Sequence, residues 1–258
     1  MAETAGLTVI EPESERYRAD LVFVHGLWVG SGIWRAAVAG FAHRGWRCVL
    51  VDMPGPASSA AVVSSWPALV DEVVRGRAMK PIVIGHDAGG LVALDLATRG
   101  SVRAAIAVAP LLEGLSGVLT SLARATLRFR RATAPVPPPA PDHAYFARIP
   151  ADLQGGVRAG LVAEPVAWLR ELERLAQPAA PRVPALLVAQ QADPIAAQLF
   201  IEICARGIEA DFLRCTGGHW PMLEGRVDDW VTQLHRWIIK RVGHGLLILR
   251  GDEDLVDP

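Results

Sequence analysis

The stretch PIVIGHDAGGLVALDL, residues 81–96, reads as a strand, a sharp glycine-bounded turn and a helix. Its centre, Gly85-His86-Asp87-Ala88-Gly89, fits the pattern G-x-nucleophile-x-G, with aspartate where serine is more usual. Small residues are needed two before and two after the central position, because strand and helix approach closely there. The central residue itself is held in a strained backbone conformation. Glycine and aspartate also make ordinary turns. The apolar strand before Asp87 and the helix after it supply the context that turns the pattern into an active-site elbow.

Working outward, short apolar runs alternate with longer helix-like segments, which predicts a mostly parallel sheet covered by helices. The predicted strands are LTVI (7–10), LVFVH (21–25), RCVLVD (47–52), PIVIG (81–85), AAIAVA (104–109), ALLVAQ (185–190) and ADFLRC (210–215). Most are continuous Val/Leu/Ile/Ala runs, as strands buried on both faces should be. GIWRAAVAGFAHRG (32–45) has Trp34, Val38 and Phe41 at helical spacing and ends at a glycine. SSWPALVDEVVRG (64–76) begins with a serine cap and Pro67 in its first turn. DDWVTQLHRWIIKR (228–241) gathers Trp230, Leu234, Trp237 and Ile238 on one face.

Residues 111–182 break the alternation. They hold no convincing strand, but contain the proline-rich APVPPPAPDHAYF and helix candidates around 115–130 and 164–176. A structureless loop of that length is implausible in a compact domain, so an inserted helical cap is expected. Residues 1–110 and 183–258 then form the core. The proline run is expected to be extended surface chain or a hinge. The tail HGLLILRGDEDLVDP (244–258) looks like a strand followed by an acidic loop, and is expected to be loosely held.

Candidate partners for Asp87 come in order along the chain. Asp193 follows the strand ALLVAQ, and His219, in TGGHWPMLE, follows ADFLRC. Nucleophile, acid and histidine on loops at the carboxyl ends of three parallel strands can meet at one point. HGLW (25–28) also follows a strand; the backbone N–H of Leu27 and that of Ala88 are the expected oxyanion hole.

Composition bounds the rest. A chain of 258 residues suits one large α/β domain. With net charge −1 and 51% hydrophobic residues, no basic face invites nucleic acid. Cys48, Cys204 and Cys215 are odd in number and widely spaced, which argues against a disulfide scaffold or a zinc site. No metal and no cofactor are expected. The opening MAETAGLTVIEPESERYRAD lacks the features of a signal peptide, and no apolar run reaches the length of a membrane span. The expectation is a soluble cytoplasmic protein without a membrane partner, with a homodimer left open.

HGLW, DMPG (52–55), GHDAGG (85–90), QADP (191–194) and GGHWPMLE (217–224) stand where the recurring motifs of α/β-hydrolase-fold proteins stand. The chain resembles that superfamily over nearly its whole length, and its elbow resembles the subset with an aspartate nucleophile: epoxide hydrolases and dehalogenases. The resemblance implies an α/β-hydrolase fold with a mostly parallel central sheet flanked by helices, and a cap that selects a small hydrophobic substrate. It also implies a triad of Asp87, Asp193 and His219.

Aspartate changes the reaction. A carboxylate is already charged at neutral pH and needs no base. Its attack on an ester carbonyl gives a mixed anhydride and little progress, whereas attack on an sp3 carbon gives a stable alkyl ester. His219, oriented by Asp193, then activates water to hydrolyse that ester. Epoxide opening needs an acidic hydroxyl, which the family supplies from cap tyrosines; Tyr145 is the family-like candidate, with His143 beside it. Trp28, His86, Trp168 and Trp220 complete the expected substrate-binding set. Haloalkane dehalogenases usually place tryptophan after the nucleophile and asparagine after HG, and haloacid members arginine after the nucleophile. Ala88 and Leu27 occupy those positions here, so halides are less favoured. HGLW also lacks the proline of the epoxide hydrolases' HGxP. These departures leave a non-hydrolytic lyase or cyclase, or a ligand-binding scaffold, as the alternative.

Overall fold

The structure, a computed structural model, describes residues 6–54 and 65–248. Seven strands build the main sheet: β1 (Gly6–Ile10), β2 (Leu21–Val24), β3 (Cys48–Asp52), β4 (Ile82–His86), β5 (Ala104–Val108), β8 (Ala185–Gln190) and β9 (Asp211–Cys215). Their order is β1-β3-β2-β4-β5-β8-β9, parallel throughout except for β1, which runs antiparallel to β3. Each predicted strand has its counterpart within a residue or so at either end. The reason is visible in burial. Strands β2, β4, β5 and β8 are buried at every position, whereas edge strand β1 is mostly exposed. Continuous apolar runs are stable only where both faces of the sheet are covered.

Helix α1 (Arg35–His43), preceded by a 3-10 turn at Ser31–Trp34, packs against α8 (Val227–Val242), the helix that follows α7 (Gln198–Gly207) and β9. Trp34 stacks on Trp230 at 6.4 Å, and Phe23 of β2 lies against Trp34 and Phe41. Helix α2 (Trp66–Arg75) starts as its sequence predicts: the Ser65 hydroxyl accepts the Ala68 N–H at 3.3 Å, with Pro67 in the first turn. It packs on α3 (Ala88–Arg99), which stops at Gly100 in the left-handed conformation.

Between β5 and β8 the chain forms α4 (Ser121–Leu127), α5 (Ala151–Ala159) and α6 (Val166–Leu175). The expected helix at 115–130 is shorter than its sequence suggested, with a 3-10 turn at Gly114–Gly117 before it. Helix α5 carries no sequence signal: Gly155 and Gly156 lower helix propensity, and none of its residues is buried. Residues 111–182 also contain strands the sequence did not suggest. Pro135–Val136 (β6) and Glu164–Pro165 (β7) pair antiparallel as a two-residue ribbon. The proline run thus supplies one side of a tertiary contact.

The tail is held at its start. Leu247 bridges Tyr17, the Arg18 N–H donates to Leu246 O, and the Ile248 N–H donates to Arg16 O, both at 2.9 Å. Among the described residues of the tail this bridge stands for the expected strand; residues 249–258, like Gly55 of DMPG, lie outside the described residues. Among the described residues no helix is long and apolar enough to cross a membrane.

At the elbow, a Cβ on Gly85 would lie 1.9 Å from the carbonyl oxygen of Gly89, and one on Gly89 would lie 2.4 Å from that of Val24. Asp87 sits at φ 57° and ψ −117°, a region that side-chain-bearing residues rarely occupy. The Gly85→Ala substitution should therefore cost about 3 kcal/mol or more. Urea unfolding followed by circular dichroism measures this; an unchanged midpoint would mean that the elbow relaxes without strain.

Candidate active site

The elbow points Asp87 out of the end of β4, and two further loops bring its partners. His219 Nε2 lies 3.1 Å from Asp87 Oδ2, and His219 Nδ1 lies 2.9 Å from Asp193 Oδ2. Asp193 is fixed in turn, its Oδ1 accepting the N–H groups of Ile195 (2.8 Å) and Ala196 (3.0 Å). The three residues named from chain order therefore form one hydrogen-bonded line. The other carboxylate oxygen of Asp87, Oδ1, accepts the Ala88 N–H at the start of α3. The 25–28 turn passes close by: a Cβ on Gly26 would lie 2.7 Å from Asp87 Cβ.

Residues 111–182 close the site. The 3-10 turn Ala144–Phe146 carries Tyr145, whose hydroxyl is 2.8 Å from Asp87 Oδ2 and 3.1 Å from the Leu27 carbonyl oxygen. Trp28 and Trp220 stand edge-on to the Tyr145 ring at 5.5 and 5.1 Å. The Trp220 indole N–H donates to the Tyr145 carbonyl at 2.5 Å, which fixes the backbone that carries the phenol. Asp87, Tyr145, His219, Trp28 and Trp220 are all 0% exposed.

Two expected substrate contacts lie elsewhere. His86 Nε2–H donates to the His219 carbonyl oxygen at 2.7 Å, so this ring supports the histidine loop. Trp168 packs edge-on against Trp66 at 5.1 Å, and Trp66 against His25 at 5.4 Å. Among the described residues Trp168 makes no hydrogen bond or ring contact with Asp87, Tyr145 or His219. His143, half-buried, caps the turn that carries Tyr145, its Nδ1 accepting the N–H of Tyr145 at 3.1 Å. Outside this enclosure, a cleft of about 1170 Å³ runs between α5, the turn before α1 and residues 222–229.

Some groups at the site had no clear sequence signal. Glu164, 2% exposed, accepts the Trp28 N–H at 2.8 Å. It sits in an insertion without periodicity, and only the fold brings it to the 25–28 turn. Glu224 accepts the Gly218 N–H at 2.7 Å and so steadies the histidine loop. It ends the GGHWPMLE stretch, five residues after His219, and that spacing was the one available hint.

Electrostatics divide the site into tuned groups. Burial would lower the His219 pKa, but the carboxylates of Asp193 and Asp87 outweigh it and raise the value to about 9. Burial also opposes the Asp193 shift, yet the His219 charge and three hydrogen bonds hold its carboxyl below the ordinary value. Burial, the Asp87 charge and the hydrogen bond to Asp87 push the Tyr145 phenol well up. Burial, with His219 beside it, lowers His86 to about 4, so its ring is neutral. Burial raises Glu164 to about 8, the Trp28 N–H opposing and Asp87 adding to the shift. Among the described residues, no group of three or more His, Cys, Asp or Glu side chains is placed to hold a metal ion.

A mostly parallel sheet with an elbow after β4, an acid after β8 and a histidine after β9 defines an α/β protein of the hydrolase type. The sequence pattern of the alpha/beta hydrolase family matches residues 21–233, and the chain belongs to that family. No curated protein matches it in sequence. Among solved structures it is similar to the monoacylglycerol lipase of Paleococcus ferrophilus, at 18% identity and TM-score 0.75, covering 93% of this chain and 100% of that one. It is also similar to a soluble variant of monoglyceride lipase from Saccharomyces cerevisiae, at 14% identity and TM-score 0.72, covering 93% and 94%. The methylesterase MES16 of Arabidopsis aligns at 16% identity and TM-score 0.64, covering 85% and 98%. At these identities the likeness is one of fold.

The raised His219 value has a stability consequence. A group that binds its proton more tightly when folded contributes fully below its unfolded value of 6.5. That contribution is lost as pH rises through about 9. The thermal midpoint should fall over this window, and fall less in His219→Gln; equal slopes in the two proteins would remove His219 as a cause.

Proposed function

We propose that this chain is a hydrolase in which Asp87 attacks an sp3 carbon, with a small hydrophobic epoxide as the substrate class. One observation carries the reading. The Tyr145 hydroxyl lies 2.8 Å from Asp87 Oδ2, the oxygen that His219 also faces. A nucleophile and a proton donor thus converge on one point, with residues 111–182 acting as the cap that brings the donor.

The steps follow from those positions. Asp87 Oδ2 forms a bond to a ring carbon while the ring C–O bond breaks. The released electron pair stays on the ring oxygen, which takes the Tyr145 proton. His219 then removes a proton from water, and the hydroxide adds to Asp87 Cγ. Negative charge builds on Oδ1 against the Ala88 N–H, with Leu27 N–H as the second donor. Collapse expels the alkoxide, which takes the proton back from His219 and leaves as a diol. Asp87, left as a carboxylic acid, returns its proton to the Tyr145 phenolate beside it.

Charge coupling times these transfers. The Asp87 carboxylate is among the groups that raise both Tyr145 and His219. Once Asp87 is esterified that charge is gone. The phenol becomes a better acid as the alkoxide forms, and the imidazolium, without that carboxylate, releases its proton to solvent and so can take one from the attacking water; it regains a proton from solvent once the Asp87 carboxylate is restored. Ester chemistry, suggested by the names of the fold relatives, suits a carboxylate poorly, because acyl attack gives an anhydride. Trp28 and Trp220 are proposed as the walls around the reacting atoms; His86 supports the histidine loop and Trp168 stands outside them.

A second reading, non-hydrolytic chemistry or ligand binding, rests on the enclosure: both Asp87 oxygens are engaged by this chain's own donors. Turnover of an epoxide such as styrene oxide in heavy-oxygen water decides between the two. Label should accumulate in Asp87 over several turnovers, and His219→Gln should hold an ester seen as added mass; turnover with unlabelled Asp87 would sink the covalent mechanism. Tyr145→Phe should lower kcat on the epoxide about 100-fold, the size of a lost general acid. It should leave an alkyl halide, whose leaving group needs no proton, little changed.

A further inference from the structure

Trp28 is one of the core residues that residues 111–182 grip. It stands at φ 60°, a left-handed conformation unfavourable for a bulky side chain. All three of its polar groups are bound by that segment. Its main-chain N–H donates to Glu164 Oε1 at 2.8 Å, its indole N–H donates to Val136 O at 3.1 Å, and its carbonyl accepts the Val162 N–H at 2.9 Å. Val136 and Glu164 are register partners across the β6–β7 ribbon, so one pair of residues holds the backbone and the side chain of Trp28 together. The preceding residue, Leu27, presents its carbonyl to Tyr145.

We infer that Glu164 is a positioning residue: by binding the Trp28 N–H it holds the left-handed turn that sets Leu27 and Tyr145 against Asp87, so closing the ribbon and completing the site are one event. Without an acceptor at 164, the Trp28 N–H would be buried and unpaired, and the strained turn would lose the bond that opposes its relaxation. A carboxylic acid suits the place. With its value raised to about 8, Glu164 is mainly neutral at pH 7 and adds little charge beside Asp87. The inference about catalysis rests on the Asp87 reading above; the structural part does not.

The test separates the two. Glu164→Met fills similar volume without an acceptor, Glu164→Ala removes the side chain, and Glu164→Gln keeps an acceptor oxygen. Hydrogen exchange at the Trp28 amide, followed by NMR on whichever variants retain the wild-type circular dichroism, should be at least about tenfold faster in Met or Ala. It should stay near wild type in Gln. With styrene oxide, kcat should fall roughly 10- to 100-fold in Met or Ala with KM little changed, and Gln should restore it. A Trp28 amide as protected in Met or Ala as in wild type overturns the inference, as does a Gln variant as impaired as Met. Absence of epoxide turnover by the wild type would sink the Asp87 reading, while the exchange result would still decide the role of Glu164.

Discussion

The close approach of β4 and α3 is the constraint on which the site depends. Gly85 and Gly89 let backbone touch backbone, with less than 2.5 Å left for any Cβ at either position. That contact forces Asp87 into its left-handed conformation and places its carboxylate at the start of α3, where the Ala88 N–H meets Oδ1. Oδ2 is thereby left facing His219 and Tyr145. The two oxygens of one side chain acquire different surroundings, and the two-step displacement proposed above needs that difference: one oxygen to attack, the other to carry charge.

A second layer of order comes from side chains that make no hydrogen bond to Asp87. His86 holds the His219 carbonyl, Glu224 holds Gly218, and Trp220 holds the backbone of Tyr145. Each replaces loop freedom with a buried hydrogen bond. This matters because the groups around Asp87 stand on loops, and loops are otherwise the most mobile part of an α/β protein. The site is preorganised by its supports more than by its own contacts.

Much of this was legible in the sequence. The strands were, because a parallel sheet buried on both faces demands unbroken apolar runs, and β2, β4, β5 and β8 supply them. Asp87, Asp193 and His219 were, because strand order and chain order together restrict where such loops can meet. Residues 111–182 were legible only in outline. Helix α5 buries none of its residues, so no stripe marks it, and the β6–β7 ribbon is two residues long in a proline-rich context. Glu164 and Val136 reach Trp28 from more than 100 positions away in the chain, and no local pattern encodes that meeting. Trp168 misled for a related reason: an indole at helical spacing does not reveal which neighbour it will meet, and here it met Trp66.

The bare helix α5 has a consequence for how such a protein can change. It forms one wall of the 1170 Å³ cleft, yet it contributes no fully covered side chain to the interior. Side chains on that wall can be exchanged with small effect on folding, because surface positions away from buried contacts carry little of a protein's marginal stability. The elbow and its supports leave no such latitude. A rigid elbow and a freely variable wall are thus held in separate parts of one chain, so the surface of the cleft can be altered without disturbing the arrangement around Asp87.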